Sequence, residues 1–170
     1  MDFNTVISHR YSCRSLSDRP VEPEKLDAIL KAAQCAPTAV NKQPFTVFVM
    51  QSDAAKDAIH QVTGHTFGAG TFLVVGGKAD GAWVREFDNQ NFADVDASIV
   101  ATHIMLEIEN QGLATTWVGH FDAPKLKALC PQMADYNLIA IFPVGYAAAD
   151  GQPSPRHTQR KALDELVTVL

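Results

Sequence analysis

The sequence predicts an α+β fold. Three apolar runs of strand length, residues 45–50, 71–75 and 138–146, are separated by segments with helical spacing, and the two kinds of element follow one another irregularly, unlike the strict alternation of a doubly wound sheet. The chain has 170 residues, 46% of them hydrophobic and 19% charged, which suits one domain spanning 1–170 around one core. No internal repeat is present.

Each element has a local reason. Phe3, Val6 and Ile7 have helical spacing, and the polar run from Ser8 to Ser15 reads as a loop. Leu26, Ile29, Leu30 and Ala33 fall on one helical face, with Glu22 and Glu24 near its positive end, and Pro37 lies beyond its stop. Thr38–Pro44 is a loop by composition, and Phe45–Met50 is β-branched and aromatic enough for a central strand. Ser52–Asp53 caps a short helix running to about His60; Gly64–Gly70 is a turn-rich connector; Thr71–Val75 is a buried strand ending at Gly76–Gly77. Lys78–Gln90 has no period and is expected to be a loop, mobile or covered by a partner. Phe92–Asn110 is helical with apolar residues on two faces, as for a helix buried centrally or at a subunit contact, and Gln111–Gly112 stops it. Thr115–Gly119 is a short turn or strand, Asp122–Ala123–Pro124 opens a helix through Leu129, and Leu138–Tyr146 is a third strand. Asp150–Gln159 reads as an extended linker, and Leu163–Leu170 alternates weakly, as a terminal strand would.

Composition narrows the function classes. Fourteen Lys plus Arg against 19 Asp plus Glu give a net charge of −5, which disfavours a nucleic-acid or anionic-membrane surface. The most apolar stretch, Ile139–Ala149, is broken by Pro143 and Gly145 and falls short of the roughly 20 residues of a membrane helix. The first dozen residues lack the basic start and long apolar run of a secretory signal, and Cys13, Cys35 and Cys130 form no C-x-x-C, so a reducing, cytoplasmic setting is expected. The histidines, His9, His60, His65, His103, His120 and His157, show no metal-ligand spacing, and no G-x-S-x-G nucleophile turn is present.

Arginine placement carries the most chemistry. Five of the six arginines lie near the ends of the chain, Arg10, Arg14 and Arg19 against Arg156 and Arg160. Chain ends often lie close together, so the clusters can converge; guanidinium groups match phosphate in a bidentate way, and Ser12 adds a hydroxyl donor. Solvated surface charge is the competing reading, since no Walker loop or G-x-G-x-x-G follows a strand. A second constellation, Ala36–Phe45, is rich in amides and hydroxyls suited to a polyol or heterocycle edge, or to stabilising its own turns. In a third, Gly112–Gly119, glycine-flanked backbone can approach a flat ligand, with Trp117 alternatively plain core.

Together these segments resemble the nitroreductase family of FMN-dependent oxidoreductases. The resemblance runs in order along nearly the whole chain, leaving about residues 60–90 uncovered: Arg10-Tyr11-Ser12-Cys13-Arg14; Ala36–Phe45, with Thr38 for Ser and Phe45 for Trp; Gly112–Gly119, with Ala114 for the middle glycine; and Arg160–Val167. It implies a mixed central β-sheet flanked by helices and a homodimer whose C-terminal extension is exchanged between subunits. It further implies that Arg10, Tyr11, Ser12 and Arg14, joined by Arg160, hold the phosphate and ribityl end of FMN. Pro37, Thr38, Asn41 and Gln43 would reach the flavin from the second subunit, and the backbone of Thr116, Trp117, Val118 and Gly119 would lie along its ring near N5. NADH or NADPH would deliver hydride to N5 and then give way to an electron-poor small-molecule acceptor, a nitroaromatic or quinone, in a ping-pong cycle. No catalytic side chain and no metal are implied. The interval between Val75 and the long helix is short for the family, so this chain resembles a minimal member with an open site.

Three rivals remain at this stage: an FMN storage, sensing or delivery module without fast turnover; a flavin reductase for an enoate, a halogenated aromatic or a flavin-fragmenting reaction; and a dimeric interaction protein without cofactor.

Overall fold

The structure, a computed structural model, describes residues 1–170. Its middle strand is β2 (Thr71–Lys78), in which residues 71–77 are all buried. A strand with no polar alternation has to be covered on both faces, and here it is. It pairs antiparallel with β1 (Phe45–Met50) on one side and β5 (Tyr136–Val144) on the other. Beyond β5, Ala114 and Val118 add antiparallel bridges to Gly145 and Ile141, and Ser12 adds a parallel bridge to Thr115, which makes the extended sheet mixed.

The two faces of β2 sort the core. Phe72 and Val74 point into a cluster with Cys13, Leu16, Met50 and the buried residues of α3 (Asp53–Val62) and α5 (Ala123–Leu129). Leu73 and Val75 point into the other, with Ile29 and Ala33 of α2 (Pro23–Cys35) and Ala97, Val100, Ala101, Ile104 and Ile108 of α4 (Ala93–Asn110). A register shift between Val75 and Gly76 leaves Ile139 as an extra residue in β5, so Leu138 and Ile141 share a face despite their odd spacing.

The long helix sits where glycine lets it. A Cβ on Gly77 would lie 2.6 Å from the carbonyl oxygen of Ala93, so only glycine lets the start of α4 rest on the end of β2. At the other end Gly112 takes φ +68°, the Leu113 N–H reaches the Ile108 carbonyl and the Gly112 N–H that of Glu109, a Schellman stop. One face of α4 is fully buried; the second apolar face, with Val95, Ile99 and Leu106, stays partly exposed.

Sequence and structure differ in four places. Phe45–Met50 is an edge strand rather than a central one, since β1 pairs with β2 alone and stays half-exposed. Lys78–Gln90 holds a short hairpin, β3 (Val84–Arg85) against β4 (Gln90–Asn91), fixed by Arg85 donating to Asp88 and Gln90. Asp150–Gln159 is not uniformly extended: Ser154 caps a 3-10 turn over Pro155–Thr158. Leu163–Leu170 is not a strand and bridges to no strand of its own chain; Glu165 instead accepts from the Ala162 N–H to start the one-turn helix α6 (Leu163–Leu166). The first helix, α1 (Phe3–His9), stands as expected, capped by Asp2. No helix is long and apolar enough to cross a membrane.

Candidate functional site

The two ends of the chain meet. Leu16 bridges to Ala147, Ser17 N–H donates to the Tyr146 carbonyl at 2.8 Å and Ala148 N–H to the Ser15 carbonyl at 3.0 Å. Ser15 Oγ donates to Asp150 at 2.7 Å, and the Tyr11 hydroxyl donates to the Gly151 carbonyl. Gly151 is required there, since a Cβ would sit 2.8 Å from the Ser15 carbonyl oxygen and 3.2 Å from Cys13 Sγ. Burial, with the hydrogen bond and charge of Cys13 and the charge of Glu109, pushes the Tyr11 phenol up to about 12, so it remains a neutral donor. Cys13 itself is fully buried and bonds the Ser15 carbonyl, a small filler under this junction.

The convergence creates a cavity of about 600 Å³ lined by Arg10, Ser12, Arg14, Ser154, Arg156, His157 and Arg160. No carboxylate lines it, and none of its four arginines is ion-paired. Four guanidiniums without an ion-pair partner around one space repel one another, and a multiply charged anion relieves this with bidentate hydrogen bonds. The site set proposed from sequence therefore comes together at Arg10, Ser12, Arg14 and Arg160. Sequence reasoning left Arg156, Ser154 and His157 out of that set; Arg156 was visible in the arginine distribution, the other two carried no signal.

Arg14 also lines a second cavity of about 210 Å³ with His65, Phe67, Thr116, Trp117, Val118, Gly119 and His120. Its backbone wall, Thr116–Gly119, runs opposite the end of β5. In the antiparallel pairing of Ala114 with Gly145 and Val118 with Ile141, Thr116 falls opposite Pro143, which has no N–H to give, while the Pro143 carbonyl is taken by the Thr115 hydroxyl at 2.7 Å. The ladder opens there, and the N–H groups of Thr116, Trp117 and Gly119 make no backbone hydrogen bond within the chain. Thr116 is buried and Trp117 half-buried, and unpaired backbone donors there call for an acceptor, while the Gly119 N–H is open to solvent. Ala114 does not strain the turn, since it is absent from the positive-φ residues, and Trp117 packs edge-on to Phe142 at 5.3 Å. His65 and His120 stand 5.5 Å apart at the rim, tied through Thr63, which donates to the His120 carbonyl and accepts from His65 N–H.

Pro37, Thr38, Asn41 and Gln43 line neither of these two cavities. They sit on a loop with three non-glycine residues in the left-handed region, Val40 at φ 43°, Asn41 at 55° and Gln43 at 51°. Thr38 Oγ1 accepts from the Gln43 N–H at 2.9 Å, and Asp96 Oδ1 accepts from the Ala39 N–H at 2.9 Å. Backbone held in such sparsely populated regions concentrates at binding and catalytic sites.

Known proteins place this arrangement. A protein of Methanothermobacter thermautotrophicus, provisionally named an NADH dehydrogenase/NAD(P)H nitroreductase, is 31% identical over 162 residues, covering 87% of this chain and 78% of the relative. The crystal structure of a nitroreductase family protein from Clostridium difficile superposes with a TM-score of 0.91 at 33% identity, covering 99% of this chain and 98% of the other. A nitroreductase-type protein of Exiguobacterium sibiricum, solved in complex with FMN, shares the fold with a TM-score of 0.84 at 17% identity, covering 100% and 98% of the two chains. The nitroreductase family model matches residues 7–66 and 63–146, most of the length, and this chain belongs to the nitroreductase family.

Proposed function

We propose that the chain is an FMN-dependent oxidoreductase that draws on NADH or NADPH and reduces an electron-poor small molecule of the nitroaromatic or quinone class. The observation that carries this is Arg14 joining two unlike cavities, one lined by four unpaired arginines and no acid, the other by unpaired backbone N–H groups. A phosphate dianion fits the first. A planar ring with acceptor atoms on its edge fits the second, and FMN carries both on one molecule.

In this reading Arg10, Ser12, Arg14 and Arg160 hold the phosphate, and Tyr11, fixed as a neutral phenol on Gly151, keeps the C-terminal arginines in place. The free N–H groups of Thr116, Trp117 and Gly119 are assigned to the ring edge, where preorganised donors stabilise charge that develops on reduction. When bound, FMN would supply the redox chemistry, carrying reducing equivalents from the nicotinamide to the acceptor in two separate half-reactions. The protein positions and tunes; no side chain is assigned to the chemistry.

The site is completed by a second subunit. Supporting this, Pro37, Thr38, Asn41 and Gln43 line neither of the two cavities that meet at Arg14 in their own chain, α4 keeps a half-exposed apolar face, and the tail leaves Leu163, Leu166 and Val169 at 75%, 63% and 91% exposure. Apolar side chains so exposed fit an extension exchanged across a homodimer. The 170 residues then act as one FMN-binding domain in a cytoplasmic setting. Initial rates with NADPH and a quinone varied together test the cycle: parallel double-reciprocal lines are expected, and converging lines contradict it.

A further inference from the structure

We propose that Asp96 is a positioning residue for the cofactor loop: its carboxylate, on the first turn of α4, fixes the loop 39–43, in which Val40, Asn41 and Gln43 are left-handed, so that it presents Asn41 and Gln43. The inference rests on the assignment of that loop to the flavin site of the second subunit.

Asp96 is 1% exposed, the single acidic residue in the buried core. One oxygen accepts from the Ala39 N–H at 2.9 Å, and the other has no partner at all. The helix does not need this carboxylate as a cap, because Asn91 Oδ1 already accepts from the Ala93 N–H and Asp96's own N–H is bonded to the Phe92 carbonyl. Leaving a carboxylate oxygen buried and bare is unfavourable. The positive end of α4 offsets part of this. The remaining role visible in the fold is the bond to the loop, fifty-seven residues away in sequence.

The loop needs such a hold. Left-handed backbone is unfavourable for a β-branched residue, yet Val40 adopts it while remaining 69% exposed, so it gains no burial in return. Two side-chain acceptors brace the segment, Asp96 at Ala39 and Thr38 at Gln43. Thr38 belongs to the loop and moves with it; Asp96 does not, since α4 is seated against β2 through Gly77. Asp96 is therefore the brace that ties the loop to the rigid part of the chain.

Flavin affinity and loop cleavage test this together. Asp96→Ala should weaken FMN and riboflavin by the same factor, about tenfold or more, because the loop serves the ring end that both ligands share. Asp96→Asn keeps an oxygen for the Ala39 N–H and should bind within about threefold of wild type. Ala39→Pro removes the donor from the other side; Thr38 at φ −133° and ψ 157° suits a following proline, so this variant serves even where Asp96→Ala does not fold. It should reproduce the Asp96→Ala loss. Combined with Asn41→Ala, either change should add little, whereas combined with Arg10→Ala the losses should multiply. Trypsin cutting after the exposed Lys42 should be faster in Asp96→Ala and Ala39→Pro than in wild type or Asp96→Asn, without flavin present. Unchanged affinity and cleavage in Ala39→Pro, or an Asp96→Asn as weak as Asp96→Ala, overturns the proposal. If wild type takes up neither flavin, the functional assignment fails instead, and the cleavage comparison alone decides whether Asp96 braces the loop.

Discussion

Replacing Arg10 by alanine removes one of four guanidiniums from the 600 Å³ cavity and leaves Arg14, Arg156 and Arg160. A hydrogen bond to a charged group contributes about 1.5–3 kcal/mol, and because Arg10 is only half-buried the lower part of that range applies. That corresponds to a loss of roughly ten- to thirty-fold in FMN affinity. Riboflavin, which lacks the phosphate, should bind the variant as it binds wild type. Quenching of flavin fluorescence on titration with apoprotein measures both constants, and Arg85→Ala, whose guanidinium is already held by Asp88, is the control. Arg10 also helps draw the Glu109 carboxyl down against the upward push of burial, so the variant should raise that group further. An FMN constant within twofold of wild type, or an equal loss for riboflavin, refutes the phosphate assignment.

Other consequences are equally direct. Asn41→Ala should weaken FMN retention while light scattering still reports a dimer. Pro143→Ala supplies an N–H opposite Thr116, so hydrogen exchange should show a protected amide at residue 143 and FMN affinity should fall several-fold as the ladder closes. Gly77→Ala drives a Cβ to 2.6 Å from backbone that cannot yield, and calorimetry should show a loss of about 1–3 kcal/mol. The Tyr146 hydroxyl, then Glu22's own backbone and Arg19, hold the Glu22 carboxyl down to about 2, so the stability it confers is complete above its ordinary 4.5 and lost as pH falls through about 2. Tyr146→Phe should therefore lower the urea midpoint at pH 6 and converge with wild type near pH 2.

The strands were legible because Phe45–Met50, Thr71–Val75 and Leu138–Tyr146 are runs of β-branched and apolar residues, but the same signal made the half-exposed edge strand Phe45–Met50 look as central as Thr71–Val75, which is buried on both faces. Arginine placement foreshadowed the anion cavity, since termini tend to meet, and the structure brings them together through Gly151 and Ser15. The role of Pro143 was not legible: a proline within a strand pattern reads only as an interruption until Thr116 is known to lie opposite it. Nor was that of Asp96, whose partner is the Ala39 amide far along the chain. The tail misled, because Leu163–Leu170 alternates like a strand but pairs with no strand of its own chain, and local capping by Glu165 decides its form.

The central claim is that one flavin phosphate and one flavin ring fill the two cavities that meet at Arg14. A visible spectrum of the purified protein, taken after adding FMN and removing the excess, followed by anaerobic NADH and NADPH, tests it most directly. Retained yellow absorbance that bleaches with a reduced nicotinamide is the predicted result. Colour that is retained but does not bleach contradicts the reductase assignment in favour of a flavin-storing module, and a colourless protein contradicts the claim itself.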